Sequence, residues 1–247
     1  PSDPYVGASA FAHKGGLHTS ALGRAGGATY EHIDPAIVGN HTRVLVSDLG
    51  GRAGMAMKAD EFGVELDDPS VAKLSDELKQ LESEGWLFES ADASLELRMR
   101  RATGWEQEFF EVEEYRVSSS HREGAATTGG ALEVTTEATV KVWVGPEGTA
   151  TRHVHTAEGN GPVNAIDTAL RAAVSQAYPN VDRIHLTDYK VRILDGATAT
   201  GAVTRVLIDA TDGERSWTTI GVSSNIIEAS WRALEESLIY GLLHSGV

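Results

Sequence analysis

The chain has 247 residues, 41% hydrophobic and 23% charged, with 36 acidic side chains against 21 basic ones and a formal net charge of −15. That composition suits a soluble globular protein of one large domain or two modest ones, and its acidity argues against a nucleic-acid partner, which selects for a basic face. Without any cysteine, disulfides, thiolate metal sites and cysteine nucleophiles are excluded, a cytoplasmic setting is expected, and no apolar run approaches the roughly 20 residues that cross a membrane. Pro1-Ser2-Asp3-Pro4 lacks a signal peptide's basic start and apolar stretch, and lacks an initiator Met, so a chain cut from something longer is expected. Residues 1–55 are rich in Gly and His and read as loops, with a short buried strand at Val44-Leu45-Val46 and a helix through Met55, Met57 and Phe62. Val71, Leu74, Leu78 and Leu81 recur at steps of three and four, which predicts a helix over 70–85 capped by Asp67 or Ser70. A second helix is predicted over 90–102, its Arg98-Arg100-Arg101 cluster opposing the macrodipole at the C-terminus.

After Trp105 the texture changes. Phe109 to Val112 and Tyr115 to Val117 are strand-like, and Ser118 to Gly130 reads as a polar loop. Ala138 to Val144 alternates as a half-buried strand, Gly145 to Gly148 is a hairpin turn, and Thr151 to Thr156 is the return strand, on which His153 and His155 are strand residues. A Gly-rich turn at Glu158 to Pro162 opens a helix over 163–177. The same order recurs: Tyr189 to Ile193, Ala202 to Ile208, a turn at Asp212-Gly213, Ser216 to Ile220, then a helix over 226–243. The expected architecture is α+β, with mostly helical linker subdomains followed by two βββα repeats in pseudo-two-fold arrangement and a ligand cleft between them.

Three places could carry chemistry. His13 and His18, in Ala10-Phe11-Ala12-His13-Lys14-Gly15-Gly16-Leu17-His18, do not share a helix face, so no metal site is expected from them; Gly15-Gly16 could present His18 to a cleft as a general acid or base. Tyr30, in Thr29-Tyr30-Glu31-His32-Ile33-Asp34-Pro35, could hydrogen-bond a substrate carboxylate or simply pack. Glu158-Gly159-Asn160-Gly161-Pro162-Val163 lacks the Lys-Ser/Thr of a P-loop. Its backbone N–H groups could meet a carboxylate at the helix start, as a free amino acid would supply.

These segments, with Pro4-Tyr5-Val6-Gly7, Val38-Gly39-Asn40 and Val44 to Arg52, resemble the post-barrel segment of the isopropylmalate, homocitrate and citramalate synthase family. The repeat with Gly159 to Ala165 resembles that family's regulatory domain. The resemblance implies a division into 1–60, a linker segment completing the active site; 61–104, a helical linker subdomain; and 105–247, a regulatory, dimer-forming domain with repeats 105–180 and 181–247. It implies a parent acyltransferase that condenses acetyl-CoA with a 2-oxo acid. It implies too that the catalytic TIM barrel and its divalent metal lie outside this chain, which is expected to hold no cofactor and to be inactive alone. His18 and Tyr30 carry over as catalytic residues, His18 reaching into the barrel of a second subunit in a homodimer and Tyr30 lying near the substrate. Gly159, Asn160, Gly161, Pro162, Val163, Asp188 and Tyr189 are the effector candidates. Ala12 to Gly16 and Val44 to Asp48 favour the citramalate branch, with pyruvate as substrate and isoleucine as effector. The alternatives are an isopropylmalate synthase inhibited by leucine, or a non-catalytic amino-acid-binding or dimerisation module.

Overall fold

The computed structural model describes residues 3–7, 10–13, 31, 33–44, 51–105, 109–123, 132–146, 148–194 and 201–246. Its contacts divide the chain into two compact units, Pro1–Trp105 and Glu106–Val247.

In the first unit two short strands, β1 (Ala12–His13) and β2 (Arg43–Val44), pair in parallel. Three helices follow: α1 (Gly51–Glu61), α2 (Asp68–Ser83) and α3 (Asp92–Ala102). The boundary drawn from sequence at 60/61 falls inside α1, and α1 packs against α2. Asp67 caps α2 by accepting a hydrogen bond from the Ser70 amide at 2.9 Å, one of the four orphan donors of a helix start. The apolar spacing read from the sequence is the buried face of α2: Val71, Leu74 and Leu78. Helix α3 buries Ala93, Leu95, Leu97 and Met99, and also Ser94 and Glu96. The basic end of α3 is not a row of free cations. Arg98 lies over the rings of Trp86 and Phe88 and bonds Glu77, and Arg100 bonds the buried Glu96.

The second unit holds two three-stranded antiparallel sheets. One is β3 (Phe110–Glu123), β4 (Leu132–Val144) and β5 (Thr151–Gly159), in that order, followed by α4 (Pro162–Val174). The other is β6 (His185–Ile193), β7 (Thr204–Thr211) and β8 (Ser216–Ser223), followed by α5 (Ile226–His244). Among the described residues no sheet closes into a barrel. Alternation decides the buried face, since successive side chains on a strand point to opposite sides. On β4, Ala138, Val140, Val142 and Val144 are buried, while Glu137 and Trp143 are exposed. Helix α4 lies on β4 and β5 through Ala165, Ile166, Ala169, Leu170, Ala173 and Val174. Helix α5 lies on β8 and β7.

The loop expected from Ser118 is not there as far as Glu123. β3 runs straight through it, paired with β4 from Ser118↔Glu137 to Glu123↔Leu132. Its Ser119 hydroxyl meets that of Thr136 across the strands at 3.1 Å. Ser118, Ser119 and Ser120 are all exposed, so the sequence there has no reason to alternate.

Candidate functional site

The effector candidates sit where β5 hands over to α4. Gly159 ends the strand, and a Cβ there would stand 2.5 Å from the Ala165 amide nitrogen and 2.8 Å from its Cα. Only glycine lets the helix start come so close to the sheet. The Asn160 amide donates to Asn164 Oδ1 at 3.1 Å. Gly161 occupies the N-cap and offers no side-chain hydrogen bond, and Pro162 follows at the first helical position. The first turn of α4 is therefore left without a side-chain cap, with the positive end of the helix dipole exposed to whatever fills the turn. Helix α5 begins differently: Asn225 Oδ1 accepts from the Ile227 amide at 2.9 Å and the Glu228 amide at 3.4 Å.

Asp188 and Tyr189 lie on β6. The Tyr189 amide donates to Asp188 Oδ1 at 2.8 Å, and Lys190 pairs with Asp188 at 2.8 Å and with Asp209 at 2.7 Å. The Lys190 hydrogen bond, reinforced by the Tyr189 amide, holds the Asp188 carboxyl below the usual carboxylate range. Among the described residues no hydrogen bond links Asp188 or Tyr189 to Gly159–Val163. The two halves of the candidate set thus have separate partners.

A cluster that includes the candidate Tyr189, and whose Tyr115, Glu228, Ser230 and Trp231 sequence reasoning missed, joins both sheets to the start of α5. The Tyr115 hydroxyl of β3 donates to Glu228 Oε2 at 2.6 Å, and its ring stacks on Trp231 with centroids 4.6 Å apart and planes at 19°. The Tyr189 hydroxyl of β6 meets Ser230 Oγ at 2.6 Å, and Ser230 in turn donates to the Ile226 carbonyl. Burial, then the bond to Glu228, pushes the Tyr115 phenol well above its ordinary value. Burial alone would raise Glu228, but the hydrogen bonds from Tyr115 and Arg232 outweigh it and hold its carboxyl low. The signal in the sequence was the alignment of Tyr115 with Tyr189 at matching strand positions; the helix partners had no signature of their own.

In the first unit His18 and Tyr30 lie outside the described residues. Two open grooves of that unit flank Ser70 and Ala102: one is lined by Glu65, Asp67 and Thr103, the other by Lys73, Glu77, Arg98 and Arg101. Among the described residues neither is lined by a candidate residue. Among the described residues no group of three or more His, Asp or Glu side chains could hold a metal ion. His153 and His155 lie with ring centroids 6.3 Å apart and have no third ligand among the described residues.

Residues 89–242 match the family described as the LeuA allosteric (dimerisation) domain. Residues 5–85 match the homocitrate synthase post-HMGL domain-like family. Along 97% of its length the chain is 48% identical to an (R)-citramalate synthase of Aquifex aeolicus. It is 47% identical over 99% of its length to an (R)-citramalate synthase of Streptomyces coelicolor, and 37% identical over 98% to one of Sulfolobus acidocaldarius. The chain spans 44%, 44% and 43% of the length of these three relatives.

Proposed function

We propose a function from the premise that the chain belongs to the LeuA allosteric (dimerisation) domain family, which matches residues 89–242. The chain is the regulatory and site-completing part of an acyltransferase. The parent reaction removes a proton from the methyl group of acetyl-CoA, adds the resulting carbanion to the carbonyl of a 2-oxo acid, and hydrolyses the thioester, releasing CoA and a 2-alkylmalate. Pyruvate is the favoured acceptor, which makes the product citramalate; the naming of the relatives as (R)-citramalate synthases supports this over an isopropylmalate synthase. The divalent metal of the reaction belongs to a barrel outside this chain. His18 reaches a second subunit's active site and serves in proton transfer, and Tyr30 lies against the substrate.

The second unit binds the end product, a branched-chain amino acid, with isoleucine favoured. Its two sheet-and-helix halves are related by a pseudo-two-fold axis, and two copies of the chain associate as a homodimer. The observation that carries the effector reading is the uncapped start of α4. Asn225 caps the corresponding helix α5, whereas Gly161 leaves the first turn of α4 to an outside acceptor, and an amino-acid carboxylate is such an acceptor. Asp188 and Tyr189 are the weaker members of the site, because Lys190 already neutralises Asp188. The test is CoA release from acetyl-CoA and pyruvate by the barrel with this chain supplied separately. The reading expects activity with both parts and none with either alone. Folded, associated parts without activity would refute it.

A further inference from the structure

In a chain of net charge −15, one groove of the first unit is basic. It has a volume of about 220 Å³ and is lined by Lys73 and Glu77 of α2 and by Arg98 and Arg101 of α3. Arg98 is its fixed member. The guanidinium carbon lies 4.7 Å from the centre of the Trp86 ring and 5.4 Å from that of Phe88, and the side chain is only 18% exposed. Its hydrogen bonding is sparse for so sheltered a cation. Among the described residues its one hydrogen bond runs from Nη1 to Glu77 Oε1 at 3.1 Å, while Nε is shut off from water and has no partner. A guanidinium carries several N–H donors, and taking it out of water is costly when they go unused. The rings attract its charge but leave the donors along its edge unsatisfied. Glu77, 47% exposed, is the single carboxylate lining the groove among the described residues. Lys73 is exposed and has no ion pair among the described residues. The acidic Glu65 and Asp67 line the adjoining groove instead, and Asp67 is committed to the Ser70 amide.

We propose that the groove between α2 and α3 is a phosphate-binding subsite, which takes free phosphate or one phosphate group of a larger ligand. Its three cations against one carboxylate leave an excess of two positive charges. A phosphate group near neutral pH carries roughly −1.5 to −2 and matches that excess, whereas a single carboxylate would leave a cation uncompensated. The volume is below the roughly 300–1,000 Å³ of sites that enclose a whole organic ligand, so the groove holds a charged group and not a molecule of that size. Trp86 and Phe88 fix Arg98 before any ligand arrives, so little side-chain freedom is lost on binding. Arginine is suited to the role because its planar fork meets two oxygens of one phosphate. Glu77 competes with the ligand for Arg98. Two sources of the group are at hand, inorganic phosphate and the CoA of the reaction proposed above.

The experiment is calorimetric titration of the whole chain with inorganic phosphate, CoA and 3′-dephospho-CoA in a phosphate-free buffer of low ionic strength, with acetate as the control anion. Saturable binding of at least one of the phosphate compounds, and none of acetate, is expected. Binding of CoA but not of its dephospho form assigns the group to the 3′-phosphate, and binding of inorganic phosphate without CoA assigns a free oxyanion. Lys73→Glu should weaken the binding by about tenfold or more, and Glu77→Gln, which removes the competitor, should tighten it about threefold or more. Lys79→Glu makes the same charge change on α2 at a lysine that pairs with Asp76 and does not line the groove, and should leave the affinity within about twofold. Both lysines are exposed, so each variant should melt within about 2 °C of wild type. No saturable binding of any of the three phosphate compounds would overturn the proposal. So would acetate binding as tightly as phosphate, or a loss from Lys79→Glu equal to that from Lys73→Glu.

Discussion

Gly221→Ala isolates the close approach between sheet and helix in the second unit. A Cβ at Gly221 would stand 1.9 Å from the Ala229 carbonyl oxygen and 3.0 Å from the Ala233 nitrogen, both backbone atoms of α5. A carbon and an oxygen in van der Waals contact sit more than an ångström farther apart than that, so a side-chain rotation cannot relieve the clash and the helix itself must move. Helix α5 is buried along most of its length, by Ala229, Trp231, Ala233, Leu234, Leu238 and Leu242 among others, so a shift disturbs a packed interior. Overpacking of a core costs about 1–3 kcal/mol, and a clash with helix backbone belongs at the upper end, about 3 kcal/mol. For a unit of this size that is roughly a 10 °C fall in melting temperature. Gly161→Ala is the control: its backbone is extended and nothing lies within 4 Å of an added Cβ, so its melting temperature should stay within about 2 °C of wild type. Calorimetric unfolding of the two variants decides the matter. A Gly221→Ala protein as stable as Gly161→Ala would refute the argument that this glycine exists for packing.

Tyr115→Phe keeps the stack on Trp231 but removes the donor to Glu228, and should cost about 1 kcal/mol by urea unfolding, since the pair is only half-buried. Glu228 is held below its ordinary value of 4.5 in the folded chain, so its stabilising share is present above that pH and is lost as pH falls through the lowered value. Glu228→Gln should therefore flatten the acid limb of the stability profile, and an unchanged acid limb would contradict the assignment. In the first unit Lys58 is fully buried and answers to Asp92 and to the more exposed Glu61. Asp92→Ala takes from Lys58 the less exposed of its two carboxylates and from Arg43 one of its partners, and should cost about 3 kcal/mol, against under about 1 kcal/mol for Glu61→Ala, measured by chemical unfolding.

Periodicity made much of the fold legible. The steps between Val71, Leu74 and Leu78 marked the inner face of α2, and the alternation from Ala138 to Val144 marked β4, because in both cases one side of the element is covered and the other is wet. Where neither side is covered the signal disappears, as in Ser118 to Ser120, and a strand looks like a loop. Lys58 and Glu96 were invisible for the opposite reason: they are buried charges, and their burial depends on partners 34 residues away in one case and four in the other. The glycines at 159 and 221 were visible as residues, but their role lies in a distance to helix backbone that no spacing reports. The α4 entry was singled out from its Gly-rich composition, whereas the absence of a cap became plain only beside Asn225.

The most direct test of the account is calorimetric titration of the chain with isoleucine, leucine, valine and lysine. The account predicts saturable heat with isoleucine and weaker or no heat with the others. Binding of leucine alone would move the parent enzyme to the isopropylmalate branch. A folded dimer that gives no heat with any of the four would contradict the effector site at α4 and leave the second unit with dimerisation as its role.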